Sequence, residues 1–263
     1  MADALHAEWT KLRTLASTFW LLLAAAVLTI AVGAAAAAAF RCQAGECAPA
    51  VTGADPAKIS LTGIDLGQVV VALLAVLAIG GEYSTGMIRL TLAAMPRRLT
   101  ALAAKAAAIT GCVLAASAVA VLGSVLAGRL ILPGHGLSQA NGYQLLSLGN
   151  GPDLRATAGA VLYLALIALL AIGLTTAVRD SGVAIGAVLA LLYLFPIVSS
   201  VVPDQTLSRR LEQIAPMTAG QYIEATTGVR ALPLTPWQGL GVLVLWALGA
   251  LLLGAAVLRL RDA

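Results

Sequence analysis

The chain has 263 residues, 60% of them hydrophobic and 11% charged, too apolar for a water-soluble domain, where about a quarter of residues are charged. Several apolar runs reach roughly 20 residues, enough to cross a hydrocarbon core about 30 Å thick, and they do not alternate as barrel strands do. The net charge of +4 follows from Lys and Arg flanking those runs, so no nucleic-acid partner is implied. The expected fold is an all-α polytopic membrane protein with no soluble domain attached.

Residues 2–18 form the first predicted element. Leu5, Trp9, Leu12 and Ala16 recur at four- and three-residue spacing and share one helical face, with His6, Glu8, Lys11 and Arg13 on the rest. A basic amphipathic helix carrying a Trp lies in the bilayer interface; the plainer alternative is a positive flank that orients the first span. Charges precede the first apolar run and no small-residue cleavage pattern follows it, so no cleavable signal peptide is expected.

Six spans follow, at about 19–40, 63–81, 102–128, 156–178, 182–202 and 237–258. The loop 41–62 holds Cys42 and Cys47, open either to a small disulfide loop or to two free thiols; Cys112, inside the third span, reads as a small packing residue. The loop 129–155 is rich in Gly and Pro. Only Arg179-Asp180-Ser181 separates spans four and five. In the last loop, 203–236, Leu207, Leu211, Ile214 and Ala215 fall at helical spacing opposite Ser208, Arg209, Arg210, Glu212 and Gln213. Gly63-x-x-x-Gly67 and Gly182-x-x-x-Gly186 allow close helix approach, within one subunit or at a dimer seam.

An even number of spans puts both termini on one side. That side carries nine Lys and Arg against five Asp and Glu, a net of +4; the other carries seven against seven. The termini, the loop after span two and the Arg179 turn are therefore expected in the cytoplasm, and this end of the bundle is called the inner end below.

What is missing narrows the function. There is no Gly-Lys pair, hence no phosphate-binding loop for ATP hydrolysis. His6 and His135 stand outside any zinc motif, and no nucleophile elbow occurs, so neither a catalytic residue nor a metal site is assigned. No Asp, Glu, Lys or Arg sits at a span midplane, where ion relays need one; Glu82, Lys105 and Arg129 lie near span ends, from which long side chains reach the interface. The energy for any transport is expected from outside this chain.

Attention then falls on Gly80-Gly81-Glu82-Tyr83-Ser84-Thr85-Gly86-Met87-Ile88-Arg89, leading to Pro96-Arg97-Arg98 and Lys105. After a Gly80-Gly81 break, Ser84 or Thr85 would cap a short helix to about Ala94, ended by Pro96. From the residues alone this is equally a generic basic loop. The run from Gly81 to Arg89 with Pro96-Arg97-Arg98 and Lys105 resembles actinobacterial permease subunits of ABC-2 type ABC transporters. Two further segments agree in order. Glu8-Trp9-Thr10-Lys11-Leu12-Arg13 is similar to that family's N-terminal flank, and Ala215-Pro216-Met217-Thr218-Ala219-Gly220-Gln221 to its Pro-x-x-Ala-Gly segment before the last span.

The resemblance implies that Glu82, Tyr83, Ser84, Thr85, Gly86, Met87, Ile88 and Arg89, within a coupling loop 82–99, dock on a separate ATPase, and that Leu5, Glu8, Trp9, Lys11, Leu12 and Arg13 form an elbow helix. It also implies partly re-entrant helices in 203–236, with Pro216, Ala219 and Gly220 closing the outer end of the path. The partners implied are two copies of the ATPase subunit, which would bind ATP and Mg, and a second permease, identical or sister, in a bacterial plasma membrane. The cargo expected of an Ala/Leu/Val/Gly-rich path is an amphipathic drug, antibiotic peptide or lipid. The rival readings are a membrane-embedded lipid-modifying enzyme, with Glu82, Tyr83 and Arg89 as its compact polar group, and a non-transporting scaffold or sensor.

Overall fold

The computed structural model describes residues 9–10, 16–41, 53–87 and 98–260. The described residues hold helices and turns and no β-strand. Six helices are long and apolar enough to cross a membrane: α1 (Ala16–Ala39), α3 (Ile64–Ser84), α4 (Arg98–Ile131), α5 (Gly151–Val178), α6 (Ser181–Val201) and α9 (Pro236–Leu260). Three shorter ones, α2 (Pro56–Leu61), α7 (Gln205–Ile214) and α8 (Pro216–Gln221), lie at the opposite end from the inner loops. The chain is an all-α multi-pass membrane protein.

Helix α5 is the hub. It packs along α9, α3, α4 and α6 and buries Tyr163, Leu164, Ile167, Leu170 and Ile172 completely. Its boundaries follow from local chemistry. Pro152 occupies the first turn, where its missing N–H costs nothing, and Asp153 accepts the Ser147 N–H at 3.0 Å just ahead of it. At the other end Arg179 takes a left-handed conformation (φ 66°) and donates its N–H to the Thr175 carbonyl at 2.8 Å. Asp180 then caps α6 by accepting the Val183 N–H at 2.8 Å. A C-cap and an N-cap on adjacent residues are what allow two spans to be joined by so short a turn.

Lipid is as apolar as Leu, so helices in it adhere through close packing rather than through the hydrophobic effect. The first glycine pair shows how. A Cβ on Gly63 would fall onto the Thr29 carbonyl oxygen, and one on Gly67 onto the Thr29 hydroxyl, so α3 meets α1 backbone to backbone. Thr29 is also where α4 arrives, through the Ser124 hydroxyl at 3.3 Å from the Thr29 carbonyl. Gly186 of the second pair meets nothing and lies on the outward side of α6, among Val183, Leu194 and Ile197, all more than half exposed. The first pair packs within the chain and the second is left open.

The segment after the fifth span is helical as its spacing suggests, but its apolar residues divide. Leu207 and Ile214 are exposed while Ser208 and Glu212 turn toward the protein, bonding the Ser199 carbonyl at 3.2 Å and the Tyr222 hydroxyl at 3.3 Å. A helix lying along the rim of a membrane protein has lipid on its outer side, so its apolar residues need not face the bundle.

The expected cost of filling the Gly63 contact is about 1–3 kcal/mol. Gly63→Val should lower the unfolding midpoint of the purified chain in detergent, whereas Gly186→Ala should leave it unchanged or slightly raised. Equal effects of the two would show that α1 and α3 do not meet at Thr29.

Candidate functional site

Polar side chains gather at two places, one at each end of the bundle. The inner one contains the start of the predicted coupling loop, with three differences from expectation. Helix α3 does not break at Gly80-Gly81; it runs through both to Ser84. Gly80 is there because a Cβ would strike Ser181, the first residue of α6. Ser84 and Thr85 close this helix rather than cap the next, both hydroxyls donating to the Gly81 carbonyl at 3.0 and 2.7 Å, before Gly86 reverses the chain at φ 70° and Met87 is helical again. An unbroken helix keeps its backbone groups paired, and a break at membrane depth would free them.

The third difference concerns Glu82 and Lys105, whose side chains do not reach out to the interface. Both are buried, and they form an ion pair at 2.5 Å that joins α3 to α4. In a low-dielectric interior each charge alone would cost several kcal/mol, so two charges at neighbouring span ends are drawn to one another. One residue on, Tyr83 is half-buried, with the Arg179 guanidinium 6.0 Å from its ring centre. The same guanidinium donates from Nη2 to the Val257 carbonyl of α9 at 3.1 Å. Three consecutive side-chain contacts thus tie the inner ends of α3, α4, the α5–α6 turn and α9. Beyond them Ser84, Thr85, Gly86 and Met87 are exposed.

Ile88 and Arg89 lie outside the described residues, as do Leu5, Glu8, Lys11, Leu12 and Arg13 of the predicted elbow and both Cys42 and Cys47. Trp9 is described, helical and exposed.

The outer cluster was not anticipated as a unit. Its centre is Gln68, fully buried on α3. The Tyr163 hydroxyl of α5 donates to Gln68 Oε1, and Gln68 Nε2 donates to the Tyr193 hydroxyl of α6 at 3.1 Å. The Tyr193 hydroxyl donates in turn to the Asp65 carbonyl at 2.8 Å, while Gln221 of α8 donates to the Asp65 carboxylate at 2.6 Å. Four helices are joined through one glutamine and its neighbours. Nearby, the Asp55 carboxylate caps α2 through the Ala57 and Lys58 N–H groups at 3.1 and 3.3 Å. It also takes the Thr226 N–H, the Thr226 hydroxyl and the Thr227 N–H at 2.5, 2.6 and 2.9 Å. Arg155 donates to the Ala225 carbonyl.

The segment 216–227 is therefore held on both sides. Pro216, Ala219 and Gly220, the predicted outer gate, are all buried. Gly220 lies against the Tyr163 ring, where a Cβ would come within 2.7 Å of Cε2. Ala219 packs its carbonyl against Gly239 at the start of α9. Within this seat Glu224 is 4% exposed, and its Oε1 has no hydrogen-bond partner.

Reading the sequence for charged midplane residues passed over Gln68, Tyr163 and Tyr193. The available signal was weaker: an uncharged polar side chain inside an apolar run must find a partner on another helix, because water is not there to serve.

On the lipid-facing side, α5, α6 and α9 leave a groove of about 510 Å³ lined by Leu170, Leu174, Leu191, Leu245, Trp246 and Leu253. Its outer end is marked by the Trp246 indole, which donates to the Ile214 carbonyl at 2.9 Å.

Removing one member of the buried pair takes the opposite charge away from the other, at a cost of up to about 3–5 kcal/mol. Lys105→Met should therefore destabilise the chain strongly to denaturant, and the double variant Glu82→Gln/Lys105→Met should recover much of the loss. Tyr163→Phe strands Gln68 Oε1 and should cost about 1–3 kcal/mol. A Lys105→Met chain as stable as the parent would mean that the two charges are separately solvated.

No protein-family model matches the chain, and no curated protein matches it.

Proposed function

We propose that the chain is the permease subunit of an ABC-2 type exporter, driven by a separate ATPase that acts on the exposed turn after α3. The observation that carries this reading is the placement of that turn. Ser84 to Met87 project from the bundle directly beside the buried Glu82–Lys105 pair, so a push on the turn meets a helix pair clamped together rather than a yielding loop.

Three further points support it. The six spans agree with the resemblance in the N-terminal flank, the Glu82 region and the 215–221 segment. The chain has no nucleotide-binding loop of its own. The groove between α5, α6 and α9 offers an apolar trough with a Trp at one end, which suits an amphipathic cargo such as a drug, an antibiotic peptide or a lipid.

In this reading two ATPase copies bind ATP and Mg and close on one another, and two permeases, identical or sister, sit in a bacterial plasma membrane above them. Each ATPase presses on Ser84, Thr85, Gly86 and Met87. Glu82 and Tyr83 are positioning residues rather than docking residues: Glu82 makes α3 and α4 move as one body through Lys105, and Tyr83 passes the motion through Arg179 to the α5–α6 turn and α9. Rigid-body displacement of packed helices is the usual way such a local push reaches a distant gate.

The test separates docking from folding. Thr85→Arg with Met87→Asp alters exposed side chains and gives up one helix-end hydrogen bond, so the unfolding midpoint should move only slightly, by about 1 kcal/mol or less. Co-purification of a Walker-type ATPase from native membranes, and export dependent on it, should fall at least about tenfold, the effect of losing roughly 1.4 kcal/mol of docking. Full retention of both, or ATP hydrolysis by the purified chain alone, would sink the reading in favour of a lipid-modifying enzyme or a scaffold.

A further inference from the structure

Three carboxyl groups converge under the outer segment, and they are not equivalent. Asp55 receives five donors, and Asp65 receives the Gln221 amide. Glu224 is the exception: it is the most deeply sealed, at 4% exposure, and its Oε1 accepts nothing.

Glu224 closes the 3-10 turn Tyr222–Glu224, which packs against α2, α5 and α9. The groups that face it can be taken element by element. From α2 and its cap come Lys58 and Asp55; from α3, Asp65; from α5, Tyr163 and the part-buried Arg155, whose Nη2 is spent on the neighbouring Ala225 carbonyl and whose Nε has no partner among the described residues. Helix α9 has no ionisable group before Arg259, and α8 has none. Neither Lys58 nor Arg155 donates to Glu224, and the two neighbouring acids already hold their donors. A third bare carboxylate in that seat would have no donor of its own, a state that costs more than keeping the proton.

We propose that Glu224 is a proton-binding site in the outer cap, and that its proton keeps the 216–227 segment seated on α2, α3 and α5. Loss of the proton places a negative charge beside Asp65 and Asp55 and drives the segment outward. Burial, and next to it Asp65, raise the Glu224 pKa well above the ordinary carboxylate value, with Lys58 offsetting part of the rise. The sign is fixed accordingly. A group whose pKa is raised on folding stabilises the seated form fully below its unfolded value, and that stabilisation is lost as pH climbs through the folded value. The site does not depend on the transport reading, since it concerns how the cap is held and not what passes beneath it.

The experiment uses the full chain reconstituted in lipid, read in two ways across a pH series. Infrared difference spectra of the parent against Glu224→Gln should show one protonated carboxylic-acid carbonyl band at neutral pH that the variant lacks and that fades on alkalinisation. In parallel, Ala225→Cys, buried at the edge of the segment, should react faster with a membrane-impermeant maleimide as that band fades. In the Glu224→Gln background its labelling should follow only the thiol's own ionisation. Lys58→Gln, an exposed change that does not threaten folding, removes the one opposing cation and should move the midpoint of the band to higher pH. No acid band at neutral pH in the parent, identical Ala225→Cys labelling in the two backgrounds, or an unmoved midpoint in Lys58→Gln would each overturn the proposal.

Discussion

Inside a bilayer a polar group has no water to turn to, and most polar side chains in this bundle are answered by another part of the chain. That constraint explains where the polar residues are. The six spans carry broad apolar surfaces such as Leu126, Leu130, Leu245 and Leu252, all more than half exposed, which is tolerable only against lipid. The polar residues retreat to the two ends and pair there. At the inner end the pairing is ionic, Glu82 with Lys105; at the outer end it is a chain of neutral donors and acceptors through Gln68, Tyr163, Tyr193 and Asp65.

Between those ends the bundle is held by proximity. Gly63 and Gly67 let α3 lie on α1 at Thr29, and Gly173 and Gly254 let α5 lie on α9, where a Cβ would strike the Ala250 backbone or the Gly173 carbonyl. Three threonines inside the helices spend their hydroxyls on their own backbone: Thr29, Thr175 and Thr176 each donate to the carbonyl four residues earlier at 2.7–2.8 Å. They fill small spaces without leaving a polar atom unpaired. The result is a set of rigid struts with polar joints at their ends.

Much of this was legible in the sequence, because length and hydropathy are one-dimensional properties. The six spans, the short turn Arg179-Asp180-Ser181 and the amphipathic stretch around Leu211 follow from run length and from helical spacing. The glycines at 80 and 81 misled for a physical reason: glycine signals both a break and a close approach, and only the neighbour, Ser181, decides between them. Glu82 and Lys105 misled similarly. Each sits near a span end and reads singly as a side chain that reaches for water, but the partner is 23 residues away and only the antiparallel packing of α3 on α4 reveals it. The Gln68 network draws on four separate helices, so no local pattern announced it.

The two clusters share their supports. Helix α3 carries Glu82 and Tyr83 at one end and Asp65 and Gln68 at the other; the turn that ends α5 holds Arg179, while the outer half of the same helix holds Tyr163. A helix transmits displacement along its axis with little loss, because its hydrogen bonds and its tight packing leave few soft degrees of freedom. A shift of α3 relative to α5 at the inner end would appear between Gln68 and Tyr163 at the outer end, beside the Gln221–Asp65 bond and the Gly220 contact on the Tyr163 ring that hold the 216–221 helix. Spatial intermediacy alone does not establish coupling, but here the connection is two continuous helices rather than a chain of side chains. In the proposed reading, a displacement at Glu82 would therefore reach the outer segment along α3 itself.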